Sequence, residues 1–260
     1  MKTLHTKTTI KKLTFFMAIC MLFAFEVNAQ QCSGGSYYGE KPSTDVADYG
    51  LRASMDFDND LNAVVVRNQG VTYGPNTIGT PYVQNSFATA KIAPVGKVYL
   101  VRYNALMDEM EVKSSEKEDI LIISKKKNYV INQHANNVTY RVLKKVDSEK
   151  ENDLGYYISL QENKNVSLYR KQCKKLVKRN KATYGGTAST VTTEFKDMRC
   201  EFYIEKAHDG HAIKIPKRKK DFLALFPEKA DLISAFIKEN RIKLNKEKSL
   251  KKLITYINTI

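Results

Sequence analysis

The most uneven chemistry in the chain is a run of cations. Between Asn163 and Thr193 stand Lys164, Arg170, Lys171, Lys174, Lys175, Lys178, Arg179 and Lys181, with no acidic residue among them. Side chains alternate across a strand, so an extended backbone puts Arg170, Lys174 and Lys178 on one face and Lys171, Lys175 and Arg179 on the other. Ammonium and guanidinium groups in such a ribbon can bind the oxyanions of a polymer, which makes Lys171, Lys174, Lys175, Lys178 and Arg179 the anion-binding candidates. The competing role is a charged edge that keeps sheets from pairing with one another.

A second cluster holds Arg102, Tyr103, Asn104, Asp108, Glu109 and Glu111 around a short connection between alternating runs. Carboxylates do general acid/base work when burial or a neighbouring charge drives their pKa values apart. The spacing of Asp108, Glu109 and Glu111 does not demand this. Asn104 and Asp108 are turn formers, and Arg102 opposite Glu109 or Glu111 makes an ordinary cross-strand ion pair. No catalytic residue is assigned, and a hydrolase using these carboxylates is kept as the alternative.

Other patterns fall short of the chemistry they suggest. Asp56-Phe57-Asp58-Asn59-Asp60-Leu61-Asn62 opens like a calcium loop, but Leu61 stands where the turn needs glycine and Arg67 where a bidentate glutamate should close the shell. His208-Asp209-Gly210-His211 has no thiol pair at zinc spacing, and its Asp-Gly reads as a hairpin turn. The pairs Gly34-Gly35 and Gly185-Gly186 lack the lysine and helix start of a phosphate loop, and no serine sits in a nucleophile elbow. Neither a metal nor a cofactor is expected.

Thiol chemistry depends on compartment. Lys2, Lys7, Lys11 and Lys12 precede an apolar block from Leu13 to Phe25, followed by Val27-Asn28-Ala29 before Gln30. That block is too short for the roughly 20 helical residues that span a bilayer, and residues 1–29 read as a signal peptide cut after Ala29, with a retained anchor as the alternative. Of the formal net charge of +15, residues 1–29 carry four lysines and one glutamate, so the remaining chain stays strongly basic. Cys20 leaves with the signal. Cys32 follows Gln30-Gln31, a poor lipid-attachment context, and reads as a free thiol. Cys173 and Cys200 flank the Gly185-Gly186-Thr187 region almost symmetrically. A hairpin pairing 166–179 with 195–206 would set them on adjacent strands, where the choice is a disulfide or two reduced thiols.

The elements that must position these groups follow from periodicity. Residues 30–90 form a polar leader that lays one strand on the main body. From about Lys97 the pattern has period two: Tyr99, Val101 and Tyr103 share one face, and Met110 and Val112 alternate with Glu109, Glu111 and Lys113. Further strands are expected over 120–124, 129–133, 138–144, 155–161, 166–177, 199–205 and 211–215. Without helical crossovers they imply a mainly β domain over 91–216, an antiparallel meander or partly closed barrel with parallel pairing excluded. Residues 217–260 switch to helical period. Pro227 opens a helix with a stripe of Leu232, Ile233, Phe236 and Ile237. Asn245 caps a second helix that carries Leu250, Leu253, Ile254 and Ile257. The two pack on the β domain, with membrane-surface binding by the second as the alternative.

Gly79-Thr80-Pro81-Tyr82, then Val98-Tyr99-Leu100-Val101-Arg102-Tyr103-Asn104-Ala105, then Asp108-Glu109-Met110-Glu111-Val112 and the helices from Phe222 to Ile260, resemble a group of secreted proteins of Bacteroidetes-type Gram-negative bacteria. The resemblance covers residues 79–260. It implies an exported, β-rich protein and carries no activity with it. The expectation is an exported, periplasmic or secreted, non-enzymatic module that meets an anionic envelope polymer or envelope protein. Nucleic acid is not expected, because no recognised nucleic-acid motif is present. Nor is a spanning segment expected after signal cleavage.

Overall fold

Alternating runs of β-branched and aromatic residues pair as strands, and the computed structural model describes them within residues 73–260. Pro75, Glu116, Glu118, Asp119, Asn128, 147–152 and 182–189 are outside the description, and 179–181 and 190–191 are described by backbone alone. Residues 1–29, expected to be a signal peptide, together with Cys32 and residues 56–67, lie outside the described residues. Strands make up 43% and helices 19%, so the protein is mainly β with a helical C-terminal region. The strands are β1 (Thr77–Ile78), β2 (Ala88–Ala93), β3 (Val98–Asn104), β4 (Glu109–Lys113), β5 (Leu121–Ile123), β6 (Val130–Gln133) and β7 (Val138–Lys145). There follow β8 (Leu154–Gln161), β9 (Val166–Lys171), β10 (Lys174–Lys181), β11 (Thr190–Asp197), β12 (Glu201–Lys206) and β13 (His211–Lys214).

Five of these strands close a barrel in the order β7-β8-β9-β12-β13, with β13 returning to β7. Consecutive neighbours run antiparallel, and an odd ring cannot stay antiparallel all the way round. The closing pair must be parallel, and it is: His211 lies opposite Lys144 and Ala212 opposite Lys145. Parallel pairing, which the meander pattern excluded, therefore occurs where closure requires it, and again in the short β1–β11 pair. The first half of the same β7 edge pairs with β6, and the sheet runs on through β2, β3, β4 and β5. β7 is thus the strand where barrel and sheet part company.

Two apolar cores flank the barrel wall. Tyr140 and Val142 of β7 and Tyr156 and Ile158 of β8 pack with Ile131, Ile92, Val101, Tyr103 and Met110 of the extended sheet. On the other side Val166, Leu168 and Ile204 meet the helices α1 (Lys219–Leu223), α2 (Ala230–Glu239) and α3 (Glu247–Thr259) through Phe222, Ile233, Leu250, Leu253 and Ile254. α3 is tied to the barrel by Asn258, whose amide accepts the N–H of Val166 at 3.0 Å and donates to its carbonyl at 2.9 Å, completing the strand's hydrogen bonds. Burial of Leu250, Leu253, Ile254 and Ile257 removes the apolar face that membrane-surface binding by α3 would need. No helix among the described residues is long and apolar enough to cross a membrane.

Several boundaries move. β2 starts at Ala88, before residue 91, because its buried positions Ala88 and Ala90 are small and give a weak hydrophobic signal. Pro227 opens a short 3-10 turn, with α2 beginning at Ala230. Leu232 is 55% exposed and drops out of the stripe. α3 starts at Glu247 after Lys246, so Asn245 is not its cap. The expected strand 166–177 breaks at Gln172-Cys173 into β9 and β10, which pair with β12 and β11 respectively.

Candidate functional site

That break decides the fate of the cation ribbon. β9 belongs to the barrel and β10 to a separate sheet with β11 and β1. Arg170 faces outward and pairs with Glu247 of α3 at 2.9 Å. Lys171 turns into the barrel and is buried, so it is not a surface anion ligand. Lys174 donates to the Thr80 carbonyl at 3.0 Å and lies 3.5 Å from Asp197. Lys175 and Lys178 are exposed, with no ion pair among the described residues, while Arg179 is described by backbone alone.

The inward turn of Lys171 joins it to a residue from the other sequence cluster. Asp108 follows β3 with a positive φ of 53°, a conformation that Asp tolerates better than most residues, and it is 6% exposed. Its Oδ2 lies 2.9 Å from both Lys171 Nζ and Lys125 Nζ. Its Oδ1 accepts from the Tyr103 hydroxyl at 2.7 Å and from the Tyr156 N–H at 3.3 Å. Burial alone would raise this carboxyl, but the two ammonium groups and the Tyr103 hydroxyl outweigh it and hold the carboxyl below its ordinary range. Burial would likewise lower Lys171, yet Asp108 raises it above the usual lysine range. Burial and then the same carboxylate push Tyr103 well up. Gly155 makes room for the pair: a Cβ there would sit 2.6 Å from Lys171 Nζ.

Glu111 belongs to a different arrangement. It lies opposite Arg102 in the β3–β4 register, and its Oε2 accepts from Arg102 Nε at 2.9 Å and Nη2 at 2.6 Å. Tyr82 donates to Oε1 at 2.9 Å, while the guanidinium rests 3.7 Å from the Tyr82 ring centre and 4.4 Å from that of Phe87. Burial, with Glu111 next, pushes Tyr82 up to about 12. Asp108 and Glu111 thus share no partner, and each is neutralised by its own cations. Glu109 is half-buried.

The barrel interior was not anticipated. One layer holds Leu143, Tyr157, Tyr169, Tyr203 and Ala212, one from each strand, with the Tyr157 and Tyr203 rings crossing edge to face at 4.9 Å. Above and below it several inward positions are charged. At one end buried Glu205 accepts from Tyr169 at 2.6 Å and from the Gly210 N–H at 2.9 Å, with His208 Nδ1 at 3.7 Å. At the other, Glu201 pairs with Lys214 and accepts from Tyr203 at 2.9 Å. The alternation was visible in the sequence, but nothing in it says which face closes inward.

The remaining expectations concern turns and thiols. The β12–β13 turn centres on Ala207 and His208, both at positive φ, with Asp209 N–H bonding the Lys206 carbonyl, two residues before the expected Asp-Gly. No group of His, Cys, Asp and Glu among the described residues is arranged to hold a metal. The hairpin across 166–206 forms, but Cys173 and Cys200 are not joined in a disulfide. The Cys173 carbonyl accepts the Met198 N–H and Lys171 lies opposite Glu201 in the register, so the bend leaves Cys200 off the position facing Cys173. No family model matches the chain, and no curated protein or solved structure is significantly similar to it.

Proposed function

We propose that the protein is exported and serves as a non-enzymatic envelope or periplasmic interaction module that binds an anionic polymer through the outer lysines of β10. The observation that carries this reading is the contrast along one segment: Arg170, Lys171 and Lys174 are satisfied internally, whereas Lys175 and Lys178 are exposed without a counter-ion among the described residues. Unpaired cations on a strand attract polyanions over roughly a Debye length, about 8 Å at physiological salt. The strong positive charge of the whole chain supports the same reading. The hydrolase alternative gains nothing from Asp108 and Glu111, since their separate ion pairs leave no shared space for a substrate.

Binding of the double variant K175E/K178E to polyphosphate resin and to phosphatidylglycerol vesicles tests this directly. Wild-type protein should be retained at low salt and released as salt rises, while the variant should flow through. Equal retention of both would remove β10 as the binding surface. Intact-mass measurement of the exported protein should give a chain starting at Gln30, and a retained Met1 in the membrane fraction would overturn the export reading.

A further inference from the structure

Strand direction in the barrel places three lysines at one end. β7, β9 and β13 run the same way, because each is separated from the next by one antiparallel neighbour or joined by the parallel closure. Each of them ends in lysine: Lys145, Lys171 and Lys214. All three sit at inward positions. Lys145 is two residues beyond Leu143 of the inner layer and opposite Ala212, Lys171 is two beyond Tyr169, and Lys214 lies opposite Tyr203.

Two of the three have a carboxylate: Lys171 has Asp108 and Lys214 has Glu201. Lys145 is only 7% exposed; its backbone N–H bonds the Asp153 carbonyl at 3.0 Å, and its side chain has no hydrogen bond or ion pair among the described residues. Its ammonium is nevertheless absent from the fully enclosed unpartnered atoms, so the stem is buried and the tip opens at the barrel end. A cation whose stem is fixed in the wall, at the same barrel end as two neutralised lysines, is an oxyanion seat whose charge is unmatched among the described residues. A lysine ammonium binds phosphate oxygens as a point charge, so the dianionic phosphate group gains the most from such a seat.

We infer that the end of the barrel where β7, β9 and β13 terminate binds a phosphate group, with Lys145 as its principal ligand. This site is independent of the β10 lysines. The test uses protein labelled with 13C at lysine Cε and titrated with inorganic phosphate, the Lys145 signal being assigned from the K145Q variant. The Lys145 signal should shift and saturate, and the melting temperature of wild-type but not K145Q protein should rise with phosphate. K175E/K178E should keep both responses, which separates this site from the polymer-binding surface. In phosphate-free buffer K145Q should melt as wild type does, since no internal pair is lost. A Lys145 signal that is unmoved, or that drifts without saturation together with those of Lys175 and Lys178, would overturn the site. So would a K145Q protein already destabilised without phosphate, because Lys145 would then be a structural residue.

Discussion

The two faces of the barrel wall are made of opposite materials. Outward, Val166, Leu168 and Ile204 press against the helices, and Tyr140, Val142 and Ile158 press against the extended sheet. Inward, three tyrosine rings fill a five-strand bore between layers of lysine and glutamate. Apolar burial is worth about 25 cal/mol per Å² whichever neighbour supplies it, so the outer faces stabilise the fold without strongly fixing register. The inward charges behave differently, because Lys171 is satisfied only where Asp108 arrives and Glu205 only where Tyr169 and Gly210 meet it. The outer faces supply cohesion and the inner face supplies register.

The largest expected effect falls on the inner face. Asp108→Ala leaves Lys171 as an uncompensated buried cation and should cost about 3–5 kcal/mol in denaturant unfolding at neutral pH, with much of the loss recovered in D108A/K171M. A cost below about 1 kcal/mol would place the pair with ordinary surface bridges and dissolve the contrast. The pH dependence has a fixed sign. The folded Asp108 pKa is depressed, so its stabilisation is complete above the unfolded carboxylate value near 4 and lost as pH falls through the lower folded value. The Lys171 pKa is raised, so its share is complete below the unfolded lysine value near 10.4 and lost as pH rises through the higher folded one. Both limbs report one interaction, and both should flatten in D108A/K171M.

On the outer face, Ile254→Ala removes a fully buried side chain under α3 and should cost about 2–5 kcal/mol. This loss should show no pH dependence between about 4 and 10, since no titrating group is involved. A pH-dependent loss would mean that the helical cap and the inner charges are energetically coupled.

Gly155→Ala tests the inner face more finely. The added methyl meets Lys171 Nζ at 2.6 Å and Asp108 Oδ2 at 3.1 Å, so the ammonium must move off its carboxylate. Overpacking of this kind should cost about 1–3 kcal/mol and shift the acid limb toward higher pH, as Asp108 loses part of its stabilising charge. An unchanged acid limb would show that Lys125 alone holds the carboxylate.

What was legible in the sequence was periodicity. Tyr99, Val101 and Tyr103 are buried together as alternation requires, Arg102 pairs with Glu111 across the strands, and 166–179 does fold back toward 195–206. A barrel was legible as one of two architectures, but not which face would close inward, because period two marks two faces without saying which lies inside. A barrel whose interior is tyrosine and charge shows the same alternation as a sheet whose polar face meets solvent. For the same reason the Asp108–Lys171 pair could not be foreseen: the residues stand far apart in sequence, and each has an ordinary role on an open strand. The lysine row of Lys145, Lys171 and Lys214 becomes visible only once strand ends and directions are known. β11 was missed because its Thr-rich run has few apolar positions and owes its order to pairing with β10.

The smallest expected effect separates two adjacent residues of α2. Leu232 and Ile233 both fit a helical stripe with Phe236 and Ile237, yet Ile233 is fully buried and Leu232 is 55% exposed. The arc is narrower than the stripe because Phe236 lies flat on Tyr256, ring centres 4.0 Å apart and planes within 4°, which fixes how α2 is rotated against α3. Gln has nearly the helix propensity of Leu, so Leu232→Gln changes the exposed surface and little else. It should alter stability by no more than about 0.5 kcal/mol, against about 2–5 kcal/mol for Ile233→Ala. Thermal and denaturant unfolding of the two variants side by side provide the check. A loss above about 1 kcal/mol in L232Q would mean that the outer apolar core extends past Ile233 and that α2 is covered on a second side.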